Sequence, residues 1–268
     1  MVKPVLVLAV LVLAMLLPYL PGGFDASAEA LSYMAQVAGY ASLLLVPVGG
    51  LWLINRRRER LWRRTALVIA ILIVFVAILA AAAMDQLGLG VVIGTFAMFA
   101  VLRAMRKLPA GDGNTDRTHS RVALYLVVVP LVVVGFRTAV VPRAAAWSAD
   151  RAIRHSAALI AEIESFRERR GHYPLSLQSL NRDFPTGVIG IERFRYEPNG
   201  EAYNLYFVRQ STQLDAKEVV LFNPRDEHRF TSHELDILQY DGAELDLRRG
   251  DRRRTPLAHP QWISILFD

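Results

Sequence analysis

The chain has 268 residues, 53% of them hydrophobic, and a formal net charge of +6. That length accommodates two domains, and the charge is unevenly split: residues 143–268 carry 18 Lys+Arg against 19 Asp+Glu, leaving 13 against 6 for residues 1–142. The basic excess sits between apolar stretches, which excludes a phosphate-binding stripe and a nucleic-acid partner for the second half, and the absence of cysteine excludes disulfides, thiolate nucleophiles and Cys-ligated zinc.

A helix needs roughly 20 mostly apolar residues to cross the hydrocarbon core of a bilayer. Five stretches are read as spans: residues 4–24, 30–55, 65–84, 86–102 and 122–141. The first follows Lys3 and runs up to Ala26-Ser27-Ala28, which also fits a secretory signal with an A-x-A cleavage site. Its apolar run is longer than most signal cores, so a retained helix is expected; cleavage after Ala28 would leave four spans. The fourth is short and carries Gly88, Gly90, Gly94 and Ala97, small residues suited to close helix packing. The fifth is apolar except for Arg137, which is expected to extend its guanidinium to water, with a pairing to Asp85 as the alternative. No Asp, Glu, Lys or His lies deep in a span, which argues against an ion-coupled carrier.

Cations in the short loops set orientation. Lys3 precedes the first span, and the loop from Pro21 to Glu29 has no Lys or Arg. The next loop (NRRRERLWRR) holds Arg56, Arg57, Arg58, Arg60, Arg63 and Arg64. Met84–Gln86 has none, and Arg103–Arg121 has Arg103, Arg106, Lys107, Arg117 and Arg121. The alternation is complete: the N-terminus is expected inside and residues 142–268 outside. The arginine cluster is read as this topology signal, with an anionic-lipid site as the alternative.

From Val122 to Arg170 the chain reads as one long helix, kinked but not ended by Pro130 and Pro142. Apolar residues at Ile153, Ala157, Ile160, Ile163 and Phe166 give its second part a helical stripe, and Gly171 is a fitting stop. There follows Gly171-His-Tyr173-Pro174-Leu-Ser-Leu177-Gln-Ser-Leu180, then Phe194-Arg-Tyr196-Glu-Pro-Asn199-Gly200-Glu-Ala-Tyr203-Asn-Leu-Tyr-Phe207. A membrane helix with an internal proline, an amphipathic continuation, a G-x-Y-P turn and an aromatic strand–turn–strand resembles the type IV pilins and type II secretion pseudopilins. The resemblance covers Val122 to about Phe207. It implies a bacterial inner-membrane location with a periplasmic α+β domain over residues 142–268. The segment before the fifth span, Gly113–Arg121, lacks that family's peptidase junction of glycine before phenylalanine, and the span's first half lacks the family's glutamate. A pilin-type domain fixed to a polytopic anchor is therefore expected, not a fibre subunit.

Asn199-Gly200 between two alternating aromatic runs signals a hairpin, with Tyr203, Leu205 and Phe207 on one face of its second strand. EVVLF (218–222), DILQY (236–240) and WISILF (262–267) read as further strands, and Arg248–Arg254 as a solvated loop. His228 and His233, near Glu227, Glu234 and Asp236, are the residues a zinc ion would use, although a loop surface explains their spacing as well. Asp241, Glu244 and Asp246 are the candidate oxygen ligands for calcium. The serines lack a nucleophile-elbow context. The fold class expected is a bundle of five transmembrane helices (residues 1–141) with a C-terminal α+β domain built on a small antiparallel sheet. The function expected is protein–protein interaction by the outer domain, with a secretion or pilus-like assembly as the candidate partner; the alternative is a membrane-anchored ligand sensor or transport accessory. The bilayer and a membrane or periplasmic protein are the expected partners, and no catalytic residue or cofactor is assigned.

Overall fold

A computed structural model of the chain describes residues 4–55, 58–106, 115–180, 182–199, 201–211, 217–228 and 251–267. They form two compact units: Met1–Pro18 with Ala26–Ala144, and Tyr19–Asp25 with Ala145–Asp268.

The first unit is helical: α1 (Pro4–Leu16), α2 (Ala26–Ala41), α3 (Leu45–Ile54), α4 (Glu59–Ala83), α5 (Leu87–Arg106) and the opening part of α6 (Thr115–Arg170). Three helices, Ala26–Ile54, Glu59–Ala83 and Ser120–Arg170, are long and apolar enough to cross a membrane, while Leu6–Tyr19 and Leu87–Arg103 are shorter apolar helices. The first expected span breaks early. Pro18 has no N–H to continue the ladder, so α1 gives way to a 3-10 turn at Leu17–Tyr19. Pro47 interrupts the second in the same way: Leu43 loses its helical donor, and Ser42–Leu44 winds as 3-10 between α2 and α3.

Burial in this unit is inverted relative to a water-soluble bundle. Helix α4 buries Ala66, Ala80 and Ala81, yet exposes Val68, Ile71, Leu72, Phe75 and Leu79. Among the described residues, every exposed large hydrophobic side chain except Trp147 and Leu175 lies before residue 133. Helices meet where bulk is missing. A β-carbon on Gly90 would come 2.6 Å from Ala81 Cβ, and one on Gly94 2.5 Å from Ile78 Cδ1, so these glycines set the approach of α5 to α4. Gly39 does the same for α2 against Val133, and Gly49 for α3 against the Ala123 carbonyl of α6.

The second unit is built on a five-stranded antiparallel sheet: β1 (Arg195–Asn199), β2 (Ala202–Gln210), β3 (Lys217–Phe222), β4 (Asp251–Pro256) and β5 (Trp262–Phe267), in the order β1-β2-β3-β5-β4. Helix α6 lays Ala149, Ala152, Ile153, Leu159 and Ile163 on the face carrying Tyr203, Leu205, Phe207, Val220, Phe222 and Trp262. The helical stripe differs from the sequence reading at one position: Ala157 is exposed, and Ser156 and Leu159 take the buried side. The opposite sheet face, with Tyr206, Val219, Leu221, Ile265 and Phe267, is buried as well.

The run read as a solvated loop is corrected in part, since Asp251–Pro256 is strand β4 at the sheet edge. Arg253 and Arg254 suit that place, because charge on an edge strand discourages further pairing. Strand β4 has no apolar pattern of its own and pairs along the near-continuously buried β5. The strand expected at 236–240 lies outside the described residues.

Residues Tyr19–Asp25 complete the unit. Pro21 forms an antiparallel bridge with Val188. Ile189 N donates to the Leu20 carbonyl at 3.0 Å, Gly22 N to the Gly187 carbonyl at 3.2 Å and Asp25 N to the Ile189 carbonyl at 3.0 Å.

Gly49→Ala is expected to push α3 off α6 and destabilise the bundle by about 1–3 kcal/mol, because its β-carbon would stand 2.7 Å from a backbone oxygen. Gly50→Ala, whose β-carbon would meet nothing within 4 Å, is the control. Equal thermal midpoints for the two variants in detergent would refute close packing at Gly49.

Candidate functional site

The resemblance singled out the turn after α6, and its geometry is set by the helix end. Gly171 takes φ +79°, the left-handed conformation that a side chain resists, and its N–H donates to the Arg167 carbonyl at 2.7 Å. The chain then reverses and drives Tyr173 between helix and sheet, where it is buried. The ring meets Tyr203 edge-on at 4.9 Å. Arg167 lies over its other side, 4.7 Å from the centroid, and donates to the phenol oxygen at 2.9 Å. The same hydroxyl reaches the Glu164 carboxylate at 3.4 Å. From β1, Tyr196 donates to the Pro174 carbonyl at 2.9 Å and packs 5.5 Å from Tyr203. Gly171, Tyr173 and Pro174 are thus brought together with Glu164, Arg167, Tyr196 and Tyr203, four residues to which the sequence reading gave no role in the turn.

Burial pushes the Tyr173 phenol above its ordinary range, and the Glu164 charge adds to the effect against an opposing contribution from Arg167. Burial also raises Tyr196, reinforced by Tyr173 and Glu164, and raises Tyr203, reinforced by Glu164. Asn199 stands across from Ala202 in the β1–β2 register, so the connection occupies positions 200 and 201. Gly200 lies outside the described residues.

Two polar groupings in this unit were missed, since their members are far apart in sequence. Arg209 and Glu218, opposite each other on β2 and β3, pair at 2.6 Å. Ser264 donates to Glu218 at 2.5 Å, and Arg209 donates to the Ala145 carbonyl of α6 at 2.5 Å. Asp150 on α6 meets His259 at 2.6 Å and also binds Arg154. The His259 hydrogen bond holds the Asp150 carboxyl below its ordinary range; partial burial opposes this and Arg154 adds to it.

In the first unit, Arg137 corrects the expectation that it extends to water: it is only 7% exposed. Its Nε donates to Gln36 Oε1 at 3.1 Å, and its guanidinium lies 4.8 Å from the centre of the Tyr40 ring. Gln36 in turn donates to Ser32 at 3.1 Å, and Ser32 to the Met15 carbonyl at 2.9 Å. The one signal available was periodicity: Ser32, Gln36 and Tyr40 recur every four residues, on one face of α2.

Arg58, Arg60 and Arg64 are exposed at the start of α4, with Arg63 partly so; Arg56 and Arg57 lie outside the described residues. So do His233, Glu234, Asp236, Asp241, Glu244 and Asp246. His228 is engaged by the Gln261 carbonyl at 2.8 Å, and no group of three potential metal ligands occurs among the described residues. The arrangement around Tyr173 clamps a helix end to a sheet. No protein-family model matches the chain, and neither the curated proteins nor the solved structures yield a match.

Tyr173→Ala is expected to cost the second unit about 2–4 kcal/mol through lost core packing, measured by chemical denaturation followed through Trp262. A variant as stable as the parent would show the turn to be unpacked. The three raised phenols also predict alkaline lability. The unfolded chain ionises its tyrosines from about pH 10, while the folded unit keeps these protonated. Stability is therefore complete below about pH 10 and falls above it, by up to about 1.4 kcal/mol per pH unit for each phenol. Flat stability from pH 9 to 11.5 would contradict this.

Proposed function

We propose that the chain is a multi-pass bacterial inner-membrane protein that presents a pilin-like periplasmic domain for protein–protein contact, with a secretion or pilus-like assembly as the candidate partner. One observation carries the reading. Along the single helix α6 the exposed side chains are first Leu124, Tyr125, Val128, Leu131 and Val132, then Arg154, His155, Arg167, Glu168, Arg169 and Arg170. A helix whose outward surface changes from hydrocarbon-like to ionic is suited to leaving a bilayer for water.

Three further features support it. Arginines at the start of α4 are the wrong sign for a helix N-terminus, so their placement serves something other than helix stability, and retention on the cytoplasmic side is the fitting cause. The loop after α1 and the C-terminal residues belong to one unit, as the proposed sidedness requires. A helix laid along an antiparallel sheet and ended by the Gly171–Pro174 turn supports the reading, since the pilin resemblance implies such an α+β domain. Without a peptidase junction before α6, the domain stays fixed to its anchor and meets its partner there. The outward side of α6, with Arg154, Ala158 and Ala161 exposed, is the proposed contact face. A ligand-sensing or transport-accessory role is the second reading, favoured by the buried Arg137–Gln36–Tyr40 grouping, because a charge held inside an apolar bundle is costly unless it is used.

A reporter fused after Leu180 is expected to be active only when it needs export, and a photo-crosslinker at Ala158 to give a discrete adduct with a membrane or periplasmic protein. Activity of a cytoplasm-requiring reporter at that fusion would overturn the topology. The absence of any adduct from positions 154, 158 and 161 would overturn the contact face.

A further inference from the structure

We propose that the second unit rests directly on the lipid headgroups through a rim formed by Leu20, Phe24 and Trp147. The inference relies on the membrane reading above and adds a lipid-contacting surface to the outer domain. This unit exposes four large hydrophobic side chains among its described residues: Leu20 at 37%, Phe24 at 42%, Trp147 at 46% and Leu175 at 82%. The first three are close to one another in the fold. Arg151 Nε donates to the Gly187 carbonyl at 3.0 Å, and Gly22 N donates to the same oxygen at 3.2 Å. One carbonyl therefore joins α6 at Arg151 to the middle of the Leu20–Phe24 segment, and Trp147 lies one turn before Arg151 on the same side of the helix.

The juncture leaves no slack. Gly187 has φ +74°, and a β-carbon there would stand 2.4 Å from the His155 ring, while one on Gly22 would stand 2.8 Å from Ile189 Cγ1. The segment is held in place while Leu20 and Phe24 stay outside the core.

The chain itself identifies what covers this rim. Leu20 and Phe24 lie between α1 and α2, and Trp147 is three residues past Ala144, the last residue of the first unit on α6. The chain passes between the two units three times, after Pro18, Asp25 and Ala144, and each passage lies within three residues of one of these exposed apolar side chains. Tryptophan favours the headgroup level, where its ring is in apolar surroundings and its N–H in water. Arg143, exposed one turn before Trp147, suits lipid phosphate. Asp25 is the acid on this rim, and its backbone N–H is bound to Ile189. Leu175, at the distant Tyr173 turn, has no such continuity and serves as the internal reference.

The chain has no cysteine, so single-cysteine probes need no background substitutions. Leu20→Cys, Phe24→Cys, Trp147→Cys, Leu175→Cys and Phe75→Cys would each be nitroxide-labelled in the full chain. The labelled proteins would be placed in phosphatidylethanolamine–phosphatidylglycerol nanodiscs and examined by power saturation with oxygen and a nickel chelate, with circular dichroism confirming the parent fold. Positions 20, 24 and 147 are expected to show chelate accessibility severalfold below position 175, with oxygen accessibility above it. Rim positions as open to the chelate as position 175, with position 75 in lipid, would overturn the rim while leaving the membrane reading intact. Rim positions closed to both reagents would mean that protein, such as a second copy, covers them, and would also overturn it. Position 75 open to the chelate would remove the membrane reading and the rim with it.

Discussion

Gly39, Gly49, Gly90 and Gly94 each lie so near a neighbouring helix that a β-carbon would come within 2.5–2.8 Å of it. That closeness is the constraint on which the first unit depends. Its helices direct many of their Leu, Val, Ile and Phe side chains outward, while Val48, Trp52, Val133 and Val141 are buried. Where a glycine faces a neighbour such as Val133 or Ile78, the helices are joined by close van der Waals contact, which falls away steeply with separation. Once the helices are this close, the polar side chains between them, Ser32, Gln36 and Arg137, are held within hydrogen-bond reach.

The second unit is assembled by the opposite rule. Its large side chains turn inward from both helix and sheet, and Tyr203, Leu205, Phe207 and Ile163 are fully buried. Helix α6 is common to both units, so one continuous backbone serves two packing regimes. The change occurs near Ala145, the residue whose carbonyl Arg209 holds. Arg209 and Glu218 are each about 11% exposed as side chains. A pair this buried costs desolvation on both partners, and the further bonds to Ser264 and Ala145 offset part of that. It fixes where along α6 the sheet begins, a positional role that apolar contact supplies poorly because it is not directional.

At the other end of the helix the Tyr173 turn has the same purpose by different means. The αL glycine sets the direction of exit, and the phenol inserted between Arg167 and Tyr203 secures it. Between these two fixed points the apolar stripe of α6 has no freedom to slide along the sheet.

Periodicity, chain length and turn chemistry are local properties, and through them the sequence alone determined the apolar helices, the long α6, the stop at Gly171 and the strands β1, β2, β3 and β5. The distribution of arginine was legible for the same reason. Only the tertiary structure decided the rest. Arg137 reads as a residue near a span's end, and its burial follows from where α2 lies beside it. Strand β4 has no apolar alternation and exists because β5 offers an edge. The Pro21–Val188 bridge joins residues 167 positions apart, and neither segment carries a strand pattern. These features depend on pairing between distant segments, whose geometry is set by packing and not by any local preference of the residues involved.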